Sequence, residues 1–202
     1  MKSRSQTLQA GSKAELLDST NPWMILDIGF SKNPSCGLIL GSSDPRCVNF
    51  SDACRSSVEW IQRQDSPINL MIEAPLSMAF DQRGNPIPRR VEKFGSQTRP
   101  WYSGPGATVL IATLHLIVHL REYCPEASIK LFEGFVSFKP PEAKSDHIWD
   151  AVRLSDSIRS GPNEMVEFWG QEDLEAQGTV LSSVFIPCGF DPGVPAIVRI
   201  LG

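Results

Sequence analysis

The chain of 202 residues carries a formal net charge of −4 at pH 7, with 41% hydrophobic and 21% charged residues. This composition predicts one soluble α/β domain that is large enough to enclose a full hydrophobic core. It excludes a protein that coats nucleic acid indiscriminately, but it allows a local basic surface.

Two further features indicate the compartment. No uninterrupted apolar run has the length of a membrane span, and the N-terminus lacks the apolar region of a signal peptide. We therefore expect a cytoplasmic protein without a membrane partner. The five cysteines are odd in number and form no Cys-x-x-Cys pair, which predicts reduced thiols rather than a disulfide framework or a zinc knuckle.

The N-terminal end of the chain is polar. Residues 1–20 predict a flexible arm with one short helical turn near 14–17, ahead of a single domain at 21–202. Within that domain we distinguish a basic insertion at 75–105 and a C-terminal strand extension at 178–202.

Three strands should open the domain. Residues 23–29 are apolar apart from Asp27, which is typical of a central strand that ends where a carboxylate must be tolerated. Residues 35–40 and 46–50 are joined by a turn-rich segment and predict a hairpin. The three strands would form an antiparallel meander.

A second acidic strand should follow the first helix. Residues 51–64 predict a helix capped by Ser51, and residues 68–75 predict a strand that ends with Glu73 before a proline. A helical crossover would place this strand parallel to the strand of Asp27. Both carboxylates would then lie at the same edge of the sheet.

The insertion between this strand and the next helix is basic. Within residues 81–101, five basic residues outnumber two acidic residues, a net of +3. The basic residues, followed by two aromatic ones, are Arg83, Arg89, Arg90, Lys93, Arg99, Trp101 and Tyr102. Arginine for phosphates and aromatic rings for stacking favour nucleic-acid binding. The alternative is an ordinary solvated loop with an aromatic anchor.

The next two elements add candidate ligands. Residues 107–123 are apolar almost all round and predict a buried helix. His115 and His119 stand one turn apart on it, but without a third ligand nearby they favour packed or interface histidines over a zinc site. Residues 128–134 predict a strand that carries Glu133 near its end.

A late helix combines several potential metal ligands. Ser145 should cap it, and Asp146, His147 and Asp150 have the spacing that places them together at one end of one face. The alternative is a solvated acidic helix start, because acidic residues are common in a first turn.

The C-terminal region is acidic and then apolar. Residues 164–175 predict a solvated helical face, and two strand-like runs follow at 179–186 and 194–201. These runs would either extend the sheet or form a hairpin against a partner.

The ordered set of motifs resembles the RNase H-like superfamily of nucleases, and within it the RuvC-type Holliday-junction resolvases. The matched motifs are Leu-Asp-Ile-Gly around Asp27, Met-Ile-Glu-Ala-Pro around Glu73, and His147-Ile-Trp-Asp-Ala. The chain is also similar to uncharacterised predicted RNase H-fold nucleases with an Arg-rich loop after the fourth strand. The resemblance implies a mixed five-stranded sheet in the order 3-2-1-4-5, flanked by helices. The long loop and the C-terminal strands depart from the resolvase pattern.

Two-metal hydrolysis of a phosphodiester fits these residues, because Mg²⁺ and Mn²⁺ prefer oxygen ligands. We expect Asp27 to bridge two ions and Glu73 to hold one of them. Asp150 would hold the other, together with Asp146 or His147. The catalytic candidates are Asp27, Glu73, His147 and Asp150, and the candidate metal ligands are Asp27, Glu73, Glu133, Asp146 and Asp150.

Two other classes of function stay open. An actin-like phosphotransferase shares the strand–acid–glycine opening, but it needs a second nucleotide-binding half for which 202 residues are too few. A noncatalytic nucleic-acid-binding or scaffold protein with the same fold is the stronger alternative. The expected partner is nucleic acid, with DNA favoured over RNA, and the sequence leaves a homodimer open.

Overall fold

The computed structural model describes residues 7–29, 36–139, 146–175 and 178–202. Residues 1–6 of the expected arm, Ser35 of the second expected strand and the expected helix cap Ser145 lie outside this part of the chain.

Strands and helices alternate through the described residues. The strands are β1 (Thr7–Ala10), β2 (Trp23–Ile28), β3 (Cys36–Leu40), β4 (Arg46–Val48), β5 (Ile68–Glu73), β6 (Ser77–Phe80), β7 (Pro86–Ile87), β8 (Lys93–Phe94), β9 (Gln97–Thr98), β10 (Ser128–Ser137), β11 (Val166–Trp169), β12 (Val180–Ser183) and β13 (Ile197–Leu201). The α-helices are α1 (Lys13–Asp18), α2 (Phe50–Ile61), α3 (Pro105–Tyr123), α4 (His147–Ser160) and α5 (Gln171–Leu174). Short 3₁₀ turns lie at Arg90–Glu92 and Ile186–Cys188.

The main sheet runs in the order β11-β13-β10-β5-β2-β3-β4, with β1 also paired to β10. The α/β class and the mixed sheet are confirmed, but among the described residues this sheet has eight strands rather than the five expected. The antiparallel meander of β2, β3 and β4 is confirmed. So is the parallel pairing of β2 with β5, which are the strands that carry Asp27 and Glu73.

Both ends of the described chain pair with the same strand. Thr7–Ala10 pairs in parallel with the first half of β10, and β13 pairs in parallel with its second half. The expectation of a loose arm is therefore wrong for β1, whereas the short helical turn is present as α1. The acidic segment also differs from its expectation, because Val166–Trp169 forms a strand against β13 instead of a helix.

The sheet separates two apolar layers. Leu26 and Leu70 pack on the side of α2 and α3, whereas Ile25 and Met71 pack on the side of α4. Side chains alternate between the two faces along a strand. Asp27 and Glu73 therefore both project from the α4 face, two residues beyond Ile25 and Met71.

Helix α3 is buried along one side only. Leu116 and Ile117 are buried, but Ile111 is 67% exposed and Val118 is 50% exposed, so the expectation of a fully buried helix is wrong. The described residues contain no helix with the length and apolar character of a membrane span.

Helix α4 approaches the sheet most closely at a glycine. A Cβ atom added to Gly37 would lie 1.9 Å from the backbone oxygen of His147, which is far inside van der Waals contact. Gly37 is paired with Asp27 across the antiparallel β2–β3 ladder. The absent side chain therefore lets the first turn of α4 lie directly over the strand end that carries Asp27.

We expect Gly37→Ala to lower the free energy of unfolding by roughly 1–3 kcal/mol, because the added methyl group must push α4 away from the sheet. Chemical denaturation of the purified proteins measures this change. Gly189→Ala is the control, since Gly189 has φ of 83° with no neighbouring atom within 4 Å and would experience only backbone strain. Equal stability of Gly37→Ala and the parent would contradict the close approach of α4.

Candidate metal centre

Three carboxylates converge at the ends of β2 and β5 beneath α4. Asp27 and Glu73 are direct partners in the parallel ladder, and Asp150 reaches them from the first turn of α4. One oxygen atom from each carboxylate lies within 4.8 Å of the other two. Asp27 and Asp150 are buried, and Glu73 is buried at its Oε2 atom. The structure thus brings together three of the four predicted catalytic residues.

The fourth predicted catalytic residue contacts the first. His147 Nδ1 lies 2.9 Å from Asp27 Oδ2, so a proton on Nδ1 would be donated to that carboxylate. This hydrogen bond with Asp27 is the main cause that raises the pKa of His147, against the opposing effect of burial. All four predicted catalytic side chains therefore lie in one cluster.

A cation that the sequence analysis missed completes the cluster. The Lys139 ammonium group forms an ion pair with Asp150 Oδ2. Burial raises the pKa of Asp150, and Lys139 partly offsets that effect. Its position in the sequence could have indicated its role. Lys139 follows the end of β10, and the ends of parallel strands meet at one edge of a sheet.

Glu73 has an incompletely satisfied carboxylate. Its Oε1 atom accepts a hydrogen bond from the Val136 backbone N–H at 3.3 Å, but its buried Oε2 atom has no hydrogen-bond partner among the described residues. Burial, followed by the charges of Asp27 and Asp150, raises the pKa of Glu73 well above its ordinary value. An unpaired buried oxygen among like charges is costly unless a cation joins it.

Glu133 does not belong to this cluster, although it was a candidate ligand. It is paired across the ladder with Ile72, whose side chain packs on the opposite face of the sheet from Glu73. Being one position out of phase, Glu133 projects towards the insertion rather than towards α4. Its expected role as a metal ligand is therefore wrong.

Arg89 binds Glu133 instead of presenting itself to a ligand. Its Nη1 and Nη2 atoms donate to the two oxygens of Glu133 at 2.9 and 2.7 Å, and its Nε atom donates to Glu92 at 2.8 Å. Arg89 is only 2% exposed and Glu133 is fully buried. This fork of charged hydrogen bonds fastens the insertion to the sheet, so Arg89 is not part of a basic surface.

Asp146 also has a structural position. It is the N-cap residue of α4, and its Oδ1 atom accepts hydrogen bonds from the backbone N–H groups of Ile148 and Trp149 at 3.1 and 3.2 Å. Asp146 is exposed and lies outside the carboxylate cluster. The N-cap is therefore Asp146, one residue later than the expected Ser145, and the carboxylate of Asp146 serves the helix terminus instead of the metal group.

Four of the five predicted basic residues are exposed. These are Arg83, Arg90, Lys93 and Arg99, which we call the basic strip. The two aromatic residues expected for stacking are only half-buried anchors. Trp101 packs edge-on against Phe135 with ring centroids 4.6 Å apart, and Tyr102 lines a small cavity beside Arg89.

The β8–β9 hairpin contacts the segment that leads to Lys139. Phe94 of β8 packs on Phe138 with ring centroids 5.5 Å apart, and Phe138 directly precedes Lys139, the partner of Asp150. Lys93 belongs to β8, Arg99 follows β9, and both are exposed. Two exposed basic residues therefore lie on a hairpin that packs against the residue before Lys139.

The two histidines of α3 form an aromatic row rather than part of a metal cluster. The rings of His115 and His119 are stacked 6.3 Å apart, and His119 packs against Tyr123 at 4.4 Å. Among the described residues, only Asp27, Glu73 and Asp150 bring three potential metal-ligand atoms together. All five cysteines are free thiols.

The donor set of the cluster consists of carboxylate oxygens, which are the ligands that Mg²⁺ and Mn²⁺ prefer. Comparisons with protein-family models, curated proteins and solved structures found no match to this chain. The chemistry of the cluster must therefore be inferred from the geometry of its residues.

We expect Glu73→Gln to stabilise the metal-free fold at neutral pH by on the order of 1 kcal/mol or more, because a neutral amide avoids the cost of holding an ionisable carboxyl group among buried like charges. In the parent, Glu73 keeps its proton in the folded state at pH values where the unfolded chain has lost it. Its contribution to stability is therefore present below about 4.5, its ordinary pKa, and is lost as the pH rises.

Denaturation between about pH 5 and pH 8 in EDTA measures this effect. The stability gain of Glu73→Gln over the parent should grow with pH, whereas the exposed control Glu126→Gln should show no such trend. A gain that is constant across this range would show that Glu73 is ionised equally in both states.

Proposed function

We propose that this protein is a divalent-metal-dependent nuclease that hydrolyses phosphodiester bonds in nucleic acid. The observation that carries the proposal is the convergence of Asp27, Glu73 and Asp150 around a buried carboxylate oxygen that has no hydrogen-bond partner within the described part of the chain. Such a cluster is electrostatically unfavourable on its own and is suited to a hard cation.

The three carboxylates would hold the ion, which is Mg²⁺ or Mn²⁺. When bound, such an ion activates water and stabilises the negative charge that develops on phosphate oxygens. The remaining residues act around it. His147 fixes the orientation of Asp27 through Nδ1, and the Val136 backbone N–H fixes that of Glu73. Lys139 contributes a positive charge next to Asp150.

The path of the sheet supports a relationship to RNase H-like nucleases. The strands β4, β3, β2, β5 and β10 follow one another across the sheet, which is the order 3-2-1-4-5 implied by the sequence resemblance. The carboxylates of β2 and β5 meet α4 at the ends of these strands, as the same resemblance implies. Fold alone does not define an activity, so the carboxylate cluster carries more of the argument.

A nucleic-acid substrate is favoured by the basic strip. Its four exposed side chains offer positive charge and hydrogen-bond donors to phosphates on a chain whose overall charge is negative. Phe94 is 45% exposed on the hairpin and Trp149 is 62% exposed on α4, so aromatic faces for unstacked bases are also present.

We expect Asp27→Asn to reduce metal-dependent cleavage by roughly 100-fold or more, because it removes a charged ligand while preserving shape. Binding of nucleic acid should survive. Labelled single strands, duplexes, RNA–DNA hybrids and four-way junctions, each incubated with Mg²⁺ or Mn²⁺, provide the assay. The matched control is Asp146→Asn, since Asn retains the capping function and Asp146 lies outside the cluster.

The noncatalytic alternative is favoured by one observation. Lys139 and His147 already pair with Asp150 and Asp27, so the chain's own cations partly neutralise the cluster without a metal. If the parent binds these substrates but cleaves none of them in either metal, the alternative replaces the nuclease proposal. If Asp27→Asn cleaves as fast as the parent, the assignment of the site is wrong.

We expect the double variant Lys93→Glu/Arg99→Glu to bind nucleic acid more weakly and to reduce the slope of log affinity against log salt by about 2 in magnitude, because about one phosphate contact is lost at each position. Fluorescence anisotropy in EDTA across a salt series measures both quantities. The control Arg55→Glu/Arg63→Glu reverses two exposed charges on and just after α2, a helix that packs on β3 and α3. Equal slopes for the two double variants would exclude the basic strip as the binding surface.

A further inference from the structure

Lys139 is held in the carboxylate cluster by the structure around it. Its backbone follows Phe138, which has φ of 60°, a left-handed conformation that is rare for an aromatic residue. The Phe138 ring is fixed by Phe94 at 5.5 Å and Phe135 at 6.0 Å, measured between centroids. The Lys139 side chain is 20% exposed, and its ammonium group contacts Asp150 Oδ2. The fold therefore holds the Lys139 ammonium group at Asp150 instead of leaving it in solvent.

The carboxylate oxygens are already divided among protein partners. One oxygen of Asp27 faces His147, one of Asp150 contacts Lys139, and one of Glu73 accepts from the Val136 backbone. Each carboxylate thus retains one oxygen outside these contacts. Three such oxygens suit one ion that completes its shell with water, whereas two ions need a further set of ligands.

Among the described residues, no fourth carboxylate converges with these three. Asp146 was expected to serve there, but its Oδ1 atom caps α4. Glu133 projects from the opposite face of the sheet, where Arg89 occupies both of its oxygens. Neither residue belongs to the group of converging oxygens among the described residues.

The charges lead to the same count. Three ionised carboxylates and Lys139 carry a formal charge of −2, or −1 when His147 is protonated, so one divalent ion brings the cluster to 0 or +1. Two divalent ions would leave it at +2 or +3, and the single charge of a phosphodiester would remove half of that excess at most. Excess charge in a buried site is strongly unfavourable.

We infer that the site binds a single divalent cation and that the Lys139 ammonium group takes the place of the second ion. This inference rests on the proposed metal site and revises the expectation of two ions. Lys139 is then a positioning residue: it holds Asp150 in place and prevents a second ion from binding beside it. Removing its charge while keeping its length should open the position to an additional metal ion.

Counting bound Mn²⁺ tests the inference without any measurement of activity. Equilibrium dialysis gives the ions per chain, and electron paramagnetic resonance reports whether two ions are close enough to couple. We expect one ion for the parent and for Lys139→Arg, and a second, spin-coupled ion for Lys139→Met. The control is Lys130→Met, which removes a lysine that pairs with Glu15 outside the carboxylate cluster. This variant should bind one ion.

Each outcome is decisive. Two ions in the parent, or a single ion in folded Lys139→Met, overturns the inference while leaving the metal site intact. No ion in the parent overturns both the inference and the proposed function. Circular dichroism checks that Lys139→Met is folded, and Lys139→Arg provides a charge-conserving variant with less risk to the fold.

Discussion

The parallel pairing of β2 with β5 is the constraint on which the rest of the site depends. It sets Asp27 directly beside Glu73 in a sheet whose surroundings are otherwise apolar. Two like charges cannot be placed this closely in a buried position without compensation. Helix α4, the end of β10 and the first turn after it supply that compensation through His147, Val136 and Lys139. Gly37 makes this possible, because it allows the backbone of α4 to come down onto β3.

The sequence alone predicted the parts of the site that depend on strand ends and helix spacing. Asp27 and Glu73 interrupt apolar runs, so the expectation of two central strands that each end in an acid needed no tertiary information. The spacing of His147 and Asp150 indicated a shared helix face in the same way. These predictions agree with the observed positions because each follows from the geometry of a single element and from the rule that parallel strands end at one edge.

The errors arose where a residue's role depends on the pairing register or on distant partners. Glu133 has the same local pattern as Glu73, but a difference of one residue in register turns it to the other face of the sheet. Arg89 has the same composition around it as Arg90, but its buried partners include Glu133, which lies 44 residues away in the sequence. Lys139 was missed because nothing in its own segment marks it as part of the site. Its position there follows from its ion pair with Asp150 on the next helix.

The insertion contains both a buried basic residue and exposed basic residues, and its composition does not distinguish them. Arg89, Glu92 and Ser77 form a buried network with Glu133, which anchors the insertion to β10. Breaking such a network by removing one partner would leave a buried charge unpaired and would cost several kcal/mol, about 3–5. The anchor in turn fixes the backbone of the segment that carries the exposed basic residues. A buried arginine therefore determines where its exposed neighbours, including Arg90, are presented.

The position of β13 has a consequence for the order in which the sheet can form. This strand follows both β10 and β11 in the chain, yet it lies between them in the sheet. Among the described strands, β11 reaches the main sheet only through β13, and the second half of β10 has an open edge until β13 is in place. Unpaired edges promote aggregation, so the addition of this one strand protects both of its neighbours from pairing with other chains.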